Sequence, residues 1–508
     1  MTGVETLKNL VLPGIGQFSI LDSATVSEAD LGVNFFLEDS SLGKSRAEET
    51  VKYLVELNPD VKGHAISQVR CCTSWASELP LTRKDARSWI AKKESLDPFT
   101  LVLIAAPIVS STLRDLQAQL QAREIPTFYL HSVGYYSSFS LQLPPAFPIV
   151  DTHPDPTATT DLRLLKPWPA LVDFAKKKTA NMDKMNGQEF AHIPWVCLLL
   201  HYIEQWKESH DGKAPDTYKE KVEFRNLVRS GSASEENFDE ACAAVLKTLN
   251  PAKPSSTVVA ILNAPEANNL AASSPPFWLI ANAVHKFYEK HGELPLPGAV
   301  PDMKAQSDTF IQLQNIYKTR AREDCSEVIS TVRKLEKSVG YPTTIDEKEV
   351  ENFCKGAAHI HLSRGRPFSA IKKDDSTFTK KLASEVNNPE SLIALQIAFL
   401  AWDSFYDKHQ RAPGAGAEFE NDAQELLQTF DGAALRSQVG EETYNAFAGK
   451  LEKFCTELSR AGGGELHNIA SLSGGMIAQE VIKVITKQYV PIDNTCVFDG
   501  MTSKTSVL

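Results

Sequence analysis

Thiols and imidazoles are the side chains of this sequence with the widest chemical range, since either can attack a substrate or bind a metal ion. Cys354, His359 and His361 lie close together in the sequence, and Cys197 stands four residues before His201. Neither set supplies the four ligands of a structural zinc site, and a single Cys–His pair on an apolar helix is typical of core packing. We therefore predict no bound metal ion.

The cysteines also argue against a thiol nucleophile. The chain has 8 cysteines and no C-x-x-C pair, although Cys71 and Cys72 are adjacent. Four others lie in apolar helical patterns, where a buried thiol is mostly unreactive; these are Cys197, Cys242, Cys325 and Cys354. We predict no catalytic cysteine, and a reducing compartment, cytoplasmic and nuclear, as the location.

Length and charge restrict the classes of partner. A chain of 508 residues exceeds one compact core, so two or three domains are expected. A net charge of −11 argues against nucleic acid, because a phosphate backbone requires a cationic protein face. No apolar run reaches the roughly 18 residues of a membrane span, so no membrane association is predicted.

The first part of the chain alternates strand and helix patterns. Strands are predicted at 17–22, 99–106 and 125–130, and the second of these is continuously apolar, as in a parallel sheet buried on both faces. Helical spacing of apolar residues occurs at 44–57 and 113–123. This rhythm predicts an α/β fold with a doubly wound, Rossmann-like sheet.

A long helical region separates this part from the C-terminus. Proline-rich linkers follow residue 152, helical patterns fill most of 190–460, and three glycines stand at 462–464. We therefore predict an α/β domain at 1–152, a helical insertion at 153–462 and a return to the α/β domain at 463–508. The glycine pair at 474–475 is predicted to open an apolar helix and to let another backbone approach closely.

Two helix ends in the insertion have nearly the same sequence. Residues 287–295 (FYEKHGELP) match 405–413 (FYDKHQRAP), and a looser copy follows Trp206. A basic residue in the last turn faces the negative end of the helix dipole, and a later proline prevents continuation. Because the spacing of the copies is irregular, we interpret them as shared helix-ending chemistry and not as a solenoid repeat.

The segment 301–317 of the insertion has a composition that is typical of a protein–protein interface. Aromatic, apolar and amide side chains share it, which suits a protein–protein contact, with core packing as the alternative. The candidate interface residues are Pro301, Asp302, Met303, Ile311, Leu313, Gln314 and Tyr317.

Polar residues at the ends of the first strands carry a family resemblance. Asp22 ends a strand, and Gly43, Arg46 and Ala47 form a turn that is similar to the G-x-x-K-A turn of ThiF/MoeB-like enzymes, which activate ubiquitin-like proteins. The resemblance implies that Asp22 occupies the position of the acid that holds ribose. A structural turn residue is the competing interpretation of Asp22.

The same resemblance implies that the activating chemistry is lost. Where the family has N-x-x-R-Q, this chain has Val33 at the arginine position, and Arg46 stands at the lysine position. Residues 107–111, which follow the strand where the family places its magnesium aspartate, contain no acid. Losing these charges removes most of the neutralisation of a triphosphate. We expect a pseudo-active site with no catalytic residue and no cofactor bound by this chain.

The chain as a whole resembles the regulatory subunits of neddylation (Rub-type) activating enzymes. The matching segments are Leu7–Gly16, Asn34–Leu37, Thr217–Lys221, Pro301–Met303, Leu313–Tyr317 and Gln479–Lys483. The resemblance implies a heterodimer in which the catalytic subunit uses ATP and Mg²⁺, adenylates the ubiquitin-like modifier and carries the thioester cysteine. This chain would contribute the second adenylation-fold half and half of the cysteine domain.

Two alternatives remain from the sequence. One is the regulatory subunit of the SUMO-activating enzyme, whose insertion is much shorter than 153–462. The other is an independent ThiF/MoeB-type adenylating enzyme, which needs the missing arginine and aspartate. The first residues match the end of the family's glycine-rich loop and its following helix. We therefore expect a truncated gene model or isoform that lacks the first strand and the upstream arm.

Overall fold

The chain divides into two compact units. The computed structural model describes residues 1–67, 96–155, 161–232, 234–366, 376–415 and 419–508. The first unit is assembled from three stretches of sequence, which are Met1–Phe147, Ser363–Thr486 and Pro491–Leu508. The second unit consists of Pro148–Leu362 and Lys487–Val490.

The first unit begins with alternating helices and strands. In chain order its N-terminal elements are α1 (Thr2–Val11), β1 (Gln17–Leu21), α2 (Glu28–Leu31), α3 (Arg46–Glu56), β2 (Lys62–Ile66), β3 (Val102–Ala105), α4 (Ser110–Ala122), β4 (Thr127–Val133) and β5 (Tyr136–Gln142).

The second unit is mainly helical. Its elements are β6 (Phe147–Val150), α5 (Pro169–Thr179), α6 (Gly187–Phe190), α7 (Trp195–Ser209), α8 (Tyr218–Gly231), α9 (Glu236–Thr248), α10 (Ser256–Leu262), α11 (Pro265–Asn268), α12 (Pro276–His291), α13 (Ser307–Val339), α14 (Glu347–Lys355) and β7 (Ile360–Ser363).

The chain then returns to the first unit. The returning elements are α15 (Ser376–Val386), α16 (Ile393–His409), α17 (Phe419–Gln428), α18 (Ala433–Val439), α19 (Glu441–Arg460), α20 (His467–Thr486), β8 (Thr495–Asp499) and β9 (Lys504–Val507). No strand forms at 489–492, and Pro491 has no N–H group to donate to a sheet.

The strands of the first unit form two sheets. β1 and β2 pair in parallel, with Gln17 opposite Lys62. The larger sheet has the order β3-β4-β5-β8-β9, in which β3 and β4 are parallel and the other neighbours antiparallel. The α/β fold class is therefore confirmed. In the described residues the parallel pairs belong to separate sheets, and the prediction of one doubly wound sheet did not anticipate that division.

The helices after residue 363 pack onto the larger sheet. Buried side chains of α16 and α19 form one apolar cluster with Val133 of β4, Tyr136 of β5 and Val497 of β8. The sequence-based domain boundaries assigned this stretch, up to residue 462, to the helical insertion, whereas the structure groups it with the first unit. Helical periodicity identifies a buried face but does not identify the surface that covers it.

The packing of α20 against α1 is closer than side chains allow. A Cβ atom on Gly474 would lie 2.7 Å from Cβ of Glu5 and 2.8 Å from the backbone nitrogen of Thr6. The predicted close approach at the glycine pair therefore occurs, but α20 begins at His467, so the glycines lie inside the helix and not at its start. By length and composition α20 could cross a membrane, yet half of its apolar window is buried in the protein, as in a core helix.

The repeated helix ends behave alike. α12 and α16 stop at His291 and His409, and the residue after each adopts a left-handed conformation whose N–H bonds back into the last turn. Each histidine also lies against a glutamate: His291 against Glu327 at 3.0 Å and His409 against Glu425 at 2.9 Å. The prediction of shared helix-ending chemistry agrees with this geometry.

We predict opposite effects from alanine at the two adjacent glycines of α20. Gly474→Ala forces α1 and α20 apart and is expected to destabilise the protein by about 1 to 3 kcal/mol. Gly475→Ala meets no atom within 4 Å and is expected to stabilise by up to about 1 kcal/mol, because alanine is the better helix former. Thermal unfolding of both variants measures the difference, and equal destabilisation would contradict the close packing.

Candidate functional site

Asp22 lies at the end of β1, where the sequence predicted it. Its Oδ1 accepts a hydrogen bond from the backbone nitrogen of Ala24 at 3.0 Å, which fixes the turn after the strand. Its Oδ2 accepts from Nε of Arg46 at 2.6 Å. The carboxylate that would hold a ribose is therefore occupied by a turn and by a guanidinium.

Arg46 is the first residue of α3 and binds two carboxylates. Besides the Asp22 contact, its Nη1 donates to Oδ1 of Asp30 at 2.8 Å. The side chain of Ser45 accepts from the backbone nitrogen of Glu48, which caps the helix and sets its first turn. The two carboxylates raise the pKa of Arg46 against the opposing effect of burial, so its charge is permanent.

The turn before α3 depends on Gly43. Its φ of +76° lies in the left-handed region that favours glycine, and its nitrogen donates to the carbonyl of Val26 at 2.9 Å. The nitrogen of Arg46 likewise donates to the carbonyl of Ala24 at 3.0 Å. These backbone bonds hold the start of α3 against the segment that carries both aspartates.

Asp30 is held by its own helix start as well as by Arg46. Ser27 and Asp30 form a capping box, in which Oδ2 of Asp30 accepts from both the nitrogen and the hydroxyl of Ser27. Burial raises the pKa of Asp30, but these bonds and the Arg46 guanidinium outweigh it and lower the pKa below the ordinary value. The carboxylate is thus ionised over the physiological range.

The cluster of Asp22, Asp30 and Arg46 has a net negative charge. One guanidinium faces two carboxylates, so no positive charge is left over for a phosphate. Val33 follows Asp30 by three residues, and the side chain of Asn34 is buried, with its Oδ1 accepting from the nitrogen of Phe36 at 3.0 Å. These residues do not fit a triphosphate, whose binding requires cations or free amide donors.

A second position in the first unit is also filled from within the chain. α4 begins without a side-chain cap of its own, and helix N-termini of this length attract anions. Oδ1 of Asp407, on α16, accepts a hydrogen bond from the nitrogen of Ser110 at 2.7 Å. Residues 107–111 contain no acid, but Asp407 of α16 brings a carboxylate to the same place. This carboxylate accepts the hydrogen bond of the Ser110 amide.

Asp403, one turn before Asp407, anchors α16 to β4. It accepts from the hydroxyl of Tyr129 at 3.0 Å and lies 3.3 Å from Nδ1 of His131. Burial, followed by the nearby Asp403, raises the pKa of Tyr129 well above its ordinary value, so the phenol remains a donor. This contact fixes the position of α16 and thereby places Asp407 at the start of α4.

The thiols and imidazoles that the sequence singled out are mostly buried. All six described cysteines are buried, and burial raises the pKa of Cys197 to about 12 and lowers that of His201. Burial also lowers the pKa of His359. Cys71 and Cys72 lie outside the described residues. In the part of the chain that the structure describes, no three His, Cys, Asp or Glu side chains are grouped to hold a metal ion.

The predicted partner interface divides into core and surface. Leu313 and Tyr317 are fully buried, Met303 is nearly so, and the Tyr317 hydroxyl donates to the carbonyl of Leu162 at 2.8 Å. The core-packing alternative therefore holds for these three, because α13 turns one apolar face into the core of the second unit. Ile311 and Asp302 are exposed, and Pro301 and Gln314 are partly exposed.

Relatives of known name match this chain over nearly its whole length. It is 36% identical over 512 residues to the NEDD8-activating enzyme E1 regulatory subunit of Xenopus laevis, covering 98% of this chain and 91% of that protein. It is 34% identical over 514 residues to the protein of the same name in Drosophila melanogaster, and the alignment covers 100% of this chain and 91% of that protein. It is 31% identical over 515 residues to the NEDD8-activating enzyme E1 regulatory subunit AXR1 of Arabidopsis thaliana, and the alignment covers 100% of this chain and 90% of that protein.

Other comparisons add little. No family model matches the chain. Among solved structures, E. coli MccB with ATP has a TM-score of 0.22 and 14% identity, covering 28% of this chain and 39% of that chain. A crystal structure of PaaA has a TM-score of 0.22 and 14% identity, covering 27% and 37%. Likeness at this score carries no argument about fold or function.

Removing the guanidinium is predicted to alter stability in a pH-dependent way. In Arg46→Met, Asp22 and Asp30 face each other without a cation, which is expected to cost about 1 kcal/mol at neutral pH, discounted because the site is partly exposed. Because the folded pKa of Asp30 is lowered, its stabilisation is present above the unfolded value of 3.8 and is lost as pH falls through the folded pKa. The difference between wild type and variant should therefore shrink in acid.

Chemical unfolding at neutral and acidic pH measures this difference. Arg114, exposed on α4, supplies the control: Arg114→Met is expected to change stability by less than about 0.5 kcal/mol. An Arg46→Met penalty that does not diminish on acidification would contradict the role of the ion pairs.

Asp407 is predicted to act as the cap of α4. Asp407→Ala leaves the Ser110 nitrogen without this acceptor and is expected to destabilise by about 1 kcal/mol. Asp115→Ala, at an exposed position inside α4, is the control and should be neutral or slightly stabilising. Hydrogen exchange of the first turn of α4 separates the two: exchange as slow in Asp407→Ala as in wild type would refute the cap.

Proposed function

Because the chain belongs to the family of NEDD8-activating enzyme E1 regulatory subunits, we propose that it binds no nucleotide itself and works as the non-catalytic half of a heterodimer. Its partner is the catalytic subunit of the same activating enzyme. That subunit binds ATP and Mg²⁺, adenylates the C-terminus of the ubiquitin-like modifier and carries the thioester cysteine.

The contact that carries this proposal is Arg46 between Asp22 and Asp30. A nucleotide would have to displace a guanidinium from two carboxylates and then bind where the remaining charge is negative. Electrostatic stabilisation of a transferring phosphoryl group depends on the opposite sign of charge. The residues present therefore support a scaffold role for this half and not a second adenylation site.

The Asp407 contact supports the same proposal independently. Phosphate binding at a helix start uses free backbone amides, and the Ser110 amide at the start of α4 is already bonded to a carboxylate. A phosphate approaching that amide would meet the negative charge of Asp407. Two separate contacts thus oppose nucleotide binding in this unit.

The accessible part of the candidate interface remains available to the partner. Ile311 is 53% exposed on α13, and Asp302 lies exposed in the segment before it. An exposed apolar side chain bordered by polar ones is typical of the centre of a protein contact. We assign Ile311, Asp302, Pro301 and Gln314 to a surface that meets the catalytic subunit or the modifier, in the cytoplasm and nucleus.

The two alternative functions lack support. The named relatives belong to the NEDD8 pathway, and nothing favours the SUMO-activating counterpart. An independent adenylating enzyme would need cations that the described site does not leave free.

ATP–pyrophosphate exchange in the presence of the modifier tests the proposal. The purified chain alone is expected to show none, and addition of the NEDD8-activating catalytic subunit is expected to produce exchange that the catalytic subunit alone supports poorly. Asp22→Asn in this chain should leave the exchange of the complex unchanged, since Asp22 touches no reacting group. Exchange by the isolated chain, abolished by Asp22→Asn, would contradict the proposal and favour an adenylating enzyme.

A further inference from the structure

Helices α12 and α13 of the second unit border a groove of about 430 Å³. Phe287, which is 3% exposed, and the partly buried Leu335 form its apolar base. The polar lining consists of Lys286, Lys290, Glu327, Thr331, Lys334 and Ser338. The groove therefore combines an apolar base with three ammonium groups and one carboxylate.

The carboxylate of the groove is already bonded within the chain. Oε1 of Glu327 accepts from Nζ of Lys290 at 2.7 Å, and its Oε2 lies 3.0 Å from Nε2 of His291. Lys286 and Lys334 are exposed, and in the described part of the chain neither pairs with a carboxylate. The groove is thus cationic, although the whole chain has a net charge of −11.

Helices α16 and α17 of the first unit show which of these charges the packing of a helix pair needs. There Lys408 pairs with Glu425, and Nε2 of His409 lies 2.9 Å from the same carboxylate, as at the end of α12. In the matching helix ends FYEKH and FYDKH, Ser404 stands where α12 has Lys286. The same cluster therefore forms without a lysine at that position, which leaves the charge of Lys286 available to a ligand.

We propose that this groove binds an acidic peptide segment of a partner protein. Lys286 precedes Phe287 and Lys334 precedes Leu335, so each helix presents one ammonium group beside the apolar base. Carboxylates of the peptide pair with the two lysines, and an apolar side chain between them covers the base. The groove belongs to the second unit, so this proposal is independent of the exclusion of nucleotide from the first.

The donors and acceptors of the groove suit a peptide. The described lining has lysine and no arginine, and an ammonium group is a point charge that suits single carboxylates, whereas bidentate binding of phosphate favours the fork of arginine. The hydroxyl of Thr331 donates to the carbonyl of Glu327 at 3.1 Å, and that of Ser338 donates to the carbonyl of Leu335 at 2.8 Å. Both hydroxyl oxygens can therefore accept from peptide N–H groups.

Fluorescence anisotropy of a labelled peptide, Glu-Glu-Leu-Glu-Glu, titrated with the chain at low ionic strength tests the groove. We expect saturable binding that weakens as salt is added, because the contacts between carboxylates and lysines are partly exposed. Lys286→Ala and Lys334→Ala should each weaken it about two- to fivefold, since each removes one such contact. A peptide with glycine in place of leucine should bind more weakly, because it leaves Phe287 and Leu335 uncovered.

Lys318→Ala supplies the matched control. Lys318 is exposed on the same helix but does not line the groove, so this variant changes the net charge equally and should bind the peptide as wild type does. Carbodiimide, which couples a carboxylate to an amine in contact with it, should join the peptide to Lys286 or Lys334. Equal weakening by all three lysine variants, equal binding of the glycine peptide, or no saturable binding by wild type would overturn the proposal.

Discussion

The two ion pairs of Arg46, with Asp22 and with Asp30, are the interaction on which the charge of the candidate nucleotide site depends. A β-strand that ends in an acid and a helix that begins beside it are parts that could receive a nucleotide. Here the helix supplies the counter-charge from its own first residue. We propose that the site is complete without a ligand, because its residual negative charge opposes an anionic one.

At the start of α4, too, a group that could bind an anion is already bonded to a side chain of this chain. This second contact depends on how the first unit is assembled. Asp407 reaches the Ser110 amide from 297 residues away in the sequence. It does so because α16 packs on the larger sheet, where Asp403 bonds to Tyr129. The segments that return after the second unit thus complete the fold and at the same time occupy an anion-binding position. β8 beside β5 and α20 against α1 are the other contacts of this return.

Local chemistry was predictable from the sequence to the extent that neighbouring residues determine it. Asp22 at a strand end and the shared stops of α12 and α16 follow from spacing and residue type, whereas the missing arginine at Val33 was implied by the family resemblance. β5 was not predicted, because its sequence YSSFSLQ is rich in serine, yet every residue of it is buried. Serine hydroxyls there bond across the sheet, as Ser140 does with Thr495, and this compensation requires the folded partner.

Long-range placement was the part that the sequence could not supply. Asp407 carries no local signal beyond its helix-ending motif, and only the fold brings it to α4. Tyr317 and Leu313 on α13 satisfied both an interface and a core pattern, and the packing of the second unit decided for the core. The predicted boundary at 462 differs from the grouping into two compact units for the same reason, since a helical period does not say which sheet or helix covers the apolar face.

Calorimetric titration of MgATP into the isolated 508-residue chain tests the central claim most directly. A site whose one guanidinium is already shared by two carboxylates predicts no saturable heat beyond dilution, with or without Mg²⁺, up to millimolar nucleotide. A saturable, magnesium-dependent heat with one nucleotide per chain would show that the pocket of Asp22 is open to ligand, and would contradict the exclusion of nucleotide by the Arg46 ion pairs.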